Sequence, residues 1–136
     1  MQWAPDPGAG FTSGEAWLPI AAGHEARNVE KQRWDPGSML HLYRDLIALR
    51  RATPALERGS FAWLEGDQDV LAWERREGSS RVLVALNFGE APAEARLPEA
   101  RVTGGLHTGH GSPLPARSGS IALPPCEGVV LVVATD

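Results

Sequence analysis

A chain of 136 residues, 43% hydrophobic, is long enough to bury the core of one ordinary domain, and 13 Lys and Arg against 17 Asp and Glu give a net charge of -4. With the basic residues scattered, neither nucleic acid nor an anionic membrane is expected as a partner. The single cysteine, Cys126, excludes an internal disulfide, no run reaches the roughly 18 apolar residues of a membrane span, and the N-terminus lacks a signal-peptide layout, so a soluble chain of the reducing cytoplasm is expected.

Residues 1–34, which begin MQWAPDPGAGFTSGEAWLP, show no sustained period of 2 or 3.6 and read as one long loop. The next stretch, DPGSMLHLYRDLIALRRATPAL, carries an N-cap in Asp35, a proline suited to the first helical position in Pro36 and a stop in Pro54. This predicts a helix over about 36–52. Its apolar residues, Leu49, Leu42, Leu46, Met39, Tyr43, Ile47 and Leu40, cover an arc of about 180°, wider than the roughly 100° stripe of a helix lying on one partner. A helix touching two bodies is expected. Arg50 falls near the centre of that arc and reads as a side chain snorkelling from the last turn or bonding the terminal carbonyls.

After Gly59 the period changes to 2. Seven strands are expected at SFAWLE, DVLAWERRE, RVLVALNFG, AEARL, RVTGGLHT, SIALP and GVVLVVAT, in a meander, with EGSS as a hairpin turn. RVLVALNF and GVVLVVA are apolar at nearly every position and read as central strands covered on both faces, whereas AEARLPEAR reads as an edge. Trp63 and Trp73 lie at period-2 positions beside Leu and Val and read as core, while Trp17 and Trp34 stay unassigned. His107 and His110, in GGLHTGHG, have no further ligand at a convincing spacing and read as part of a glycine-rich turn, so no metal is expected.

Taken in order, MQW with GAGFTSGEAWLP, then NVEKQ, the helix LYRDLIALRRATPAL and the strand-rich tail resemble the C-terminal part of glycoside hydrolase family 13 α-glucosidases, the α-amylase superfamily branch that includes oligo-1,6-glucosidase and sucrose isomerases. The resemblance implies an antiparallel β-sandwich of about seven strands from residue 59 to 136, preceded at 1–58 by the end of a (β/α)8 barrel: the loop after its eighth strand and its last helix. On this reading the other barrel strands lie outside the chain and Met1 corresponds to an internal methionine. The missing catalytic barrel is the expected partner.

A retaining glycosidase needs two carboxyl groups about 5 to 5.5 Å apart on rigid strand ends. In the family those groups come from barrel strands with no counterpart here. Asp6, Glu15 and Glu30 sit in the loop region without a fixed opposing group, and none is assigned as catalytic. Gln2, Trp3 and Phe11 carry the family's loop pattern, and the resemblance places them near the mouth of a sugar pocket; the plainer reading is that Trp3 and Phe11 anchor the loop. Ala4 stands where relatives commonly have Asp. No phosphate loop, dinucleotide fingerprint or other cofactor motif is present, so no cofactor is expected. The expected role is structural support of the barrel, with no hydrolase activity in the isolated chain. The alternatives are a free-standing module that binds α-glucosides and a fragment that complements a separately encoded barrel.

Overall fold

The computed structural model describes residues 1–109 and 113–135. They form two compact units, Met1–Asp45 and Leu46–Asp136.

The first unit is built on loops but is not without regular structure. A short helix, α1 (Val29–Trp34), begins where Asn28 caps it: Asn28 Oδ1 accepts from the Lys31 N–H at 2.9 Å, and its amide donates to the carbonyls of His24 and Glu25. The loop before it is tied to that helix, because the N–H groups of Val29 and Glu30 donate to the carbonyls of Gln2 and Trp3. A second helix, α2 (Met39–Ala52), starts three residues later than the cap signal suggested. The Asp35 carboxylate instead accepts from the Gly37 N–H, two residues on, and closes a turn through Pro36. Gln32 takes over the capping role, its side-chain oxygen accepting from the Leu40 N–H at 3.0 Å.

In the second unit α2 ends at Ala52, as expected ahead of Pro54, and Pro54 then occupies the first turn of a further helix, α3 (Pro54–Arg58), with Thr53 at its N-cap position making no side-chain cap hydrogen bond. Among the described residues seven strands follow: β1 (Ser60–Trp63), β2 (Val70–Glu77), β3 (Ser80–Asn87), β4 (Ala93–Arg96), β5 (Val102–His107), β6 (Ser120–Leu123) and β7 (Gly128–Val133). Each lies within a residue or two of the segment its alternation marks. All pairings are antiparallel, in a five-stranded sheet ordered β1-β2-β3-β7-β5 and a two-stranded sheet β4-β6. The hairpin between β2 and β3 closes through Gly78, at φ 55.

Only β1 to β3 form a meander. The chain then crosses to the second sheet, returns as β5, crosses again as β6 and inserts β7 between β3 and β5. The physical reason lies in β7 itself: Gly128 to Val133 is apolar throughout, so an edge position would leave one face and one row of backbone donors uncovered. Against β3 and β5 both are covered. Val129, Leu131 and Val133 join Leu83, Ala85, Leu123 and Ile121 in the core between the sheets. Val82, Val84 and Val130 point the other way, to a smaller cluster with Ala55, Leu56, Leu46 and Leu49. The large sheet is thus covered by β4-β6 on one face and by the end of α2 with α3 on the other.

RVTGGLHT is strand, as expected, so His107 lies in β5 and not in the glycine-rich turn also expected of it. Gly104 and Gly105 lie inside β5, where the ladder to β7 is irregular between Val102 and Gly104. Gly105 sits at φ 141 with a would-be Cβ 2.1 Å from the Val130 carbonyl oxygen, a place only glycine can fill.

Candidate functional site

In the first unit the loop from Met1 to Ala21 curls around a cavity of about 560 Å³. Its shape is set by a tight turn in which Asp6 Oδ1 accepts from the N–H groups of Gly8 and Gly10, while Ala9, fully buried at φ 50, donates to the Asp6 carbonyl. His24 Nε2 donates to the same carbonyl at 3.1 Å. Gln2 and Phe11 line the cavity, Phe11 with 60% of its surface exposed, together with Thr12, Glu15, Trp17 and Leu18. Trp3 does not line it. Its N–H donates to the Ala9 carbonyl, its ring is 42% exposed, and its Cβ packs where Gly10 lacks one.

Of the three residues the resemblance singled out, Gln2 and Phe11 line this cavity and Trp3 does not; Trp17, unassigned from the sequence, stands almost wholly exposed at the cavity wall. Among the described residues one carboxylate, Glu15, lines this cavity. The Asp6 carboxylate is occupied by backbone amides, and Glu30 stands exposed on α1. A single carboxyl at a cavity wall can orient a hydroxyl, whereas acid-assisted glycosyl transfer uses an opposed pair.

The second unit carries an aromatic cluster on the helix-facing side of the large sheet. Trp63 lies opposite Trp73 across the β1–β2 ladder, with ring centroids 6.1 Å apart, and Phe61 meets Trp63 edge-to-face at 4.8 Å. Trp73 is half-buried against the helix, but Trp63 is not core: 65% of its surface is exposed, because α2 and α3 stop short of β1. Phe61 and Leu71 are exposed at 49% and 47%. Beside them a groove of about 280 Å³ runs between Leu46, Leu49, Arg50 and Leu56 and the sheet residues Trp73, Arg75, Val84 and Val130. Arg50 is exposed at its rim. The Arg75 guanidinium is committed to backbone, donating from Nε and Nη2 to the carbonyls of Gly59 and Ser60 at 2.8 to 3.2 Å.

On the opposite face of β2, burial pushes the Glu74 carboxyl up, but hydrogen bonds from Arg76 and Arg81, and the charges of both, outweigh it and hold it below the ordinary range. Near the start of β7, His107 Nδ1 and Glu127 Oε2 lie buried 3.6 Å apart, each without a hydrogen-bond partner. Among the described residues no group of three or more His, Cys, Asp or Glu could hold a metal ion, and His110 lies outside those residues. Among the described residues no helix is long and apolar enough to cross a membrane.

Residues 1–59 match the family model described as "Alpha amylase, catalytic domain". The chain is 37% identical over 102 residues to a probable alpha-glucosidase of Rhizobium meliloti (strain 1021), covering 75% of this chain and 18% of that protein. It is 34% identical over 100 residues to the oligo-1,6-glucosidase of Parageobacillus thermoglucosidasius, covering 73% and 18%. This chain is similar to one part of the α-amylase-family α-glucosidases. The similarity extends to solved structures: isomaltulose synthase from Klebsiella sp. LX3 matches 97% of the chain, and 24% of its own length, at 32% identity and a TM-score of 0.87. A mouse protein named amino acid transporter heavy chain SLC3A1 is 35% identical over 147 residues, covering 99% of this chain and 21% of its own length. The α-amylase-type segment therefore spans about a fifth to a quarter of these relatives. The match to the catalytic domain ends at residue 59, one residue before β1, so α1, α2 and α3 fall within it and all seven strands fall after it.

Proposed function

We propose that this chain is the C-terminal segment of a cytoplasmic α-glucosidase-like glycoside hydrolase, and that it supports a catalytic barrel instead of carrying out hydrolysis. On this reading residues 1–58 are the end of the barrel, with Gln2 and Phe11 on a loop near its sugar pocket, and residues 59–136 are a sandwich that steadies the barrel's closing edge. The observation that carries it is that the match to the catalytic domain stops at residue 59, one residue before the first strand of the two sheets. The cavity of the first unit, with Glu15 as its one lining carboxylate, accords with a supporting role. So does the mouse relative, which is named a transporter heavy chain and not a glycosidase.

The purified chain is expected to release no glucose from maltose, isomaltose or p-nitrophenyl α-glucoside above a heat-treated control. Release of glucose that a Glu15→Gln substitution abolishes would overturn the proposal.

A further inference from the structure

The large sheet has two edges, and they are built differently. At one edge β5 is broken by the irregularity between Val102 and Gly104 and by Gly105 at φ 141, which spoils the ladder for any further strand. In the small sheet β4 carries Glu94 and Arg96, and Ser120 of β6 donates to the Glu94 carboxylate. β1, at the other edge of the large sheet, has none of this: Ser60–Trp63 is regular and exposed, without charge, proline or bulge. Leu64 donates its N–H to the Ala72 carbonyl, and alternation along the strand then directs the N–H and C=O groups of Ser60 and Ala62 to β2 and those of Phe61 and Trp63 outward. On the helix-facing side the rings of Trp73, Phe61 and Trp63 form one group, Phe61 nearly parallel to Trp73 at 6.2 Å and 27° and edge-on to Trp63 at 4.8 Å. The exposed Arg50 lines a groove with residues of β2, β3 and β7 and none of β1, so the edge itself carries no cation.

We infer that β1 is a self-association edge, which pairs antiparallel with β1 of a second copy of this chain about a two-fold axis at Ala62. The inference is independent of the supporting role proposed above. What chooses a second copy is that the strand is complementary to itself in this register. Phe61 of each copy falls opposite Trp63 of the other, so every outward N–H and C=O of these residues finds a partner. Directly opposed residues share a face, which puts the rings of both copies side by side on one continuous sheet, where aromatic pairs add to the ladder. Ala62 meets its own counterpart at the closely spaced position without hydrogen bonds, which suits a small side chain. Two residues further on, Glu65 of one copy comes opposite Gly59 of the other, on the side of the sheet from which the Arg75 guanidinium reaches the Gly59 carbonyl, so unlike charges meet. The two-fold uses up the edge on both copies, and assembly stops at the dimer.

Sedimentation velocity of the full chain from about 5 to about 300 µM is expected to show a monomer passing to a dimer with a dissociation constant of about 30 µM, that of a small transient contact. Amide exchange at Phe61 and Trp63 is expected to slow about fivefold between those concentrations, while the amides of Ala62 and Leu64, bonded to β2 in either state, slow far less. Ala62→Lys sets like charges against each other on the axis, and so does Ala62→Glu. Each is expected to weaken the dimer about fivefold, and an equimolar mixture of the two variants to associate about fivefold more tightly than either alone. Ala62 is exposed in the single chain, so both variants should keep the wild-type melting temperature at low concentration. A chain that stays monomeric throughout overturns the inference, as does a dimer indifferent to both substitutions, or a series of species growing beyond the dimer. Protection of the Trp63 ring from hydroxyl-radical oxidation by maltooligosaccharide, in a chain that remains monomeric, would assign the rings to a sugar and overturn it as well.

Discussion

Gly105 offers a sharp test of the sheet order, because its neighbour Gly104 serves as an internal control. Both lie in β5, yet a Cβ at Gly104 would meet nothing within 4 Å, while one at Gly105 would sit 2.1 Å from the Val130 oxygen and 3.1 Å from Leu131 Cα. Gly105→Ala therefore carries two costs. Holding an L-residue at φ 141 costs about 1–3 kcal/mol. Relieving the clash pushes β5 off β7 and weakens one or two ladder hydrogen bonds at about 1 kcal/mol each. The sum is about 2–5 kcal/mol, which for a unit the size of Leu46–Asp136 lowers the melting temperature by at least about 8 °C. Gly104→Ala is expected to be neutral or to stabilise by up to about 1 kcal/mol through the unfolded chain. Urea unfolding followed by far-ultraviolet circular dichroism measures both. If Gly105→Ala stays within about 0.5 kcal/mol of wild type, or if the two substitutions cost the same, β5 does not lie against β7 in this register.

Asn28→Ala removes the α1 cap and strands the carbonyls of His24 and Glu25, so faster amide hydrogen exchange over 24–34, equivalent to about 1–2 kcal/mol, is expected with the strands unaffected. Glu74 has its carboxyl held below the ordinary value of 4.5, so its contribution is complete above that pH and is lost as pH falls through the lower, folded-state value. Accordingly the stability gap between wild type and Glu74→Gln, measured by urea titration, should be widest near neutrality and close progressively below about pH 4.5; a gap independent of pH would contradict the pairing with Arg76 and Arg81.

Strand positions and the identity of the two central strands were legible in the sequence, because alternation is imposed by backbone geometry and because an unbroken apolar run such as Leu83–Val84–Ala85 has only one kind of place to go. Of the loop residues that the resemblance singled out, Gln2 and Phe11 line a cavity and Trp3 does not. Signals that several partners compete for were not legible. Asp35 and Pro36 made a good helix start on paper, but Gly37 offered the carboxylate a nearer N–H, and Gln32 was free to cap in its place.

Period and propensity act between residues a few positions apart, and at that range the sequence by itself determined what this protein is made of: seven strands, a helix ending near Ala52, and a change of character at Gly59. Tertiary structure decided which faces are covered. Trp63 and Trp73 carry the same local signal, yet one is exposed and the other packed, because burial depends on whether α2 and α3, brought alongside by the path of the chain, reach far enough across the sheet. The same holds for β7, placed between β3 and β5 by the need to cover two apolar faces at once, a requirement visible in its residues but satisfied only by partners about 47 and 26 positions away.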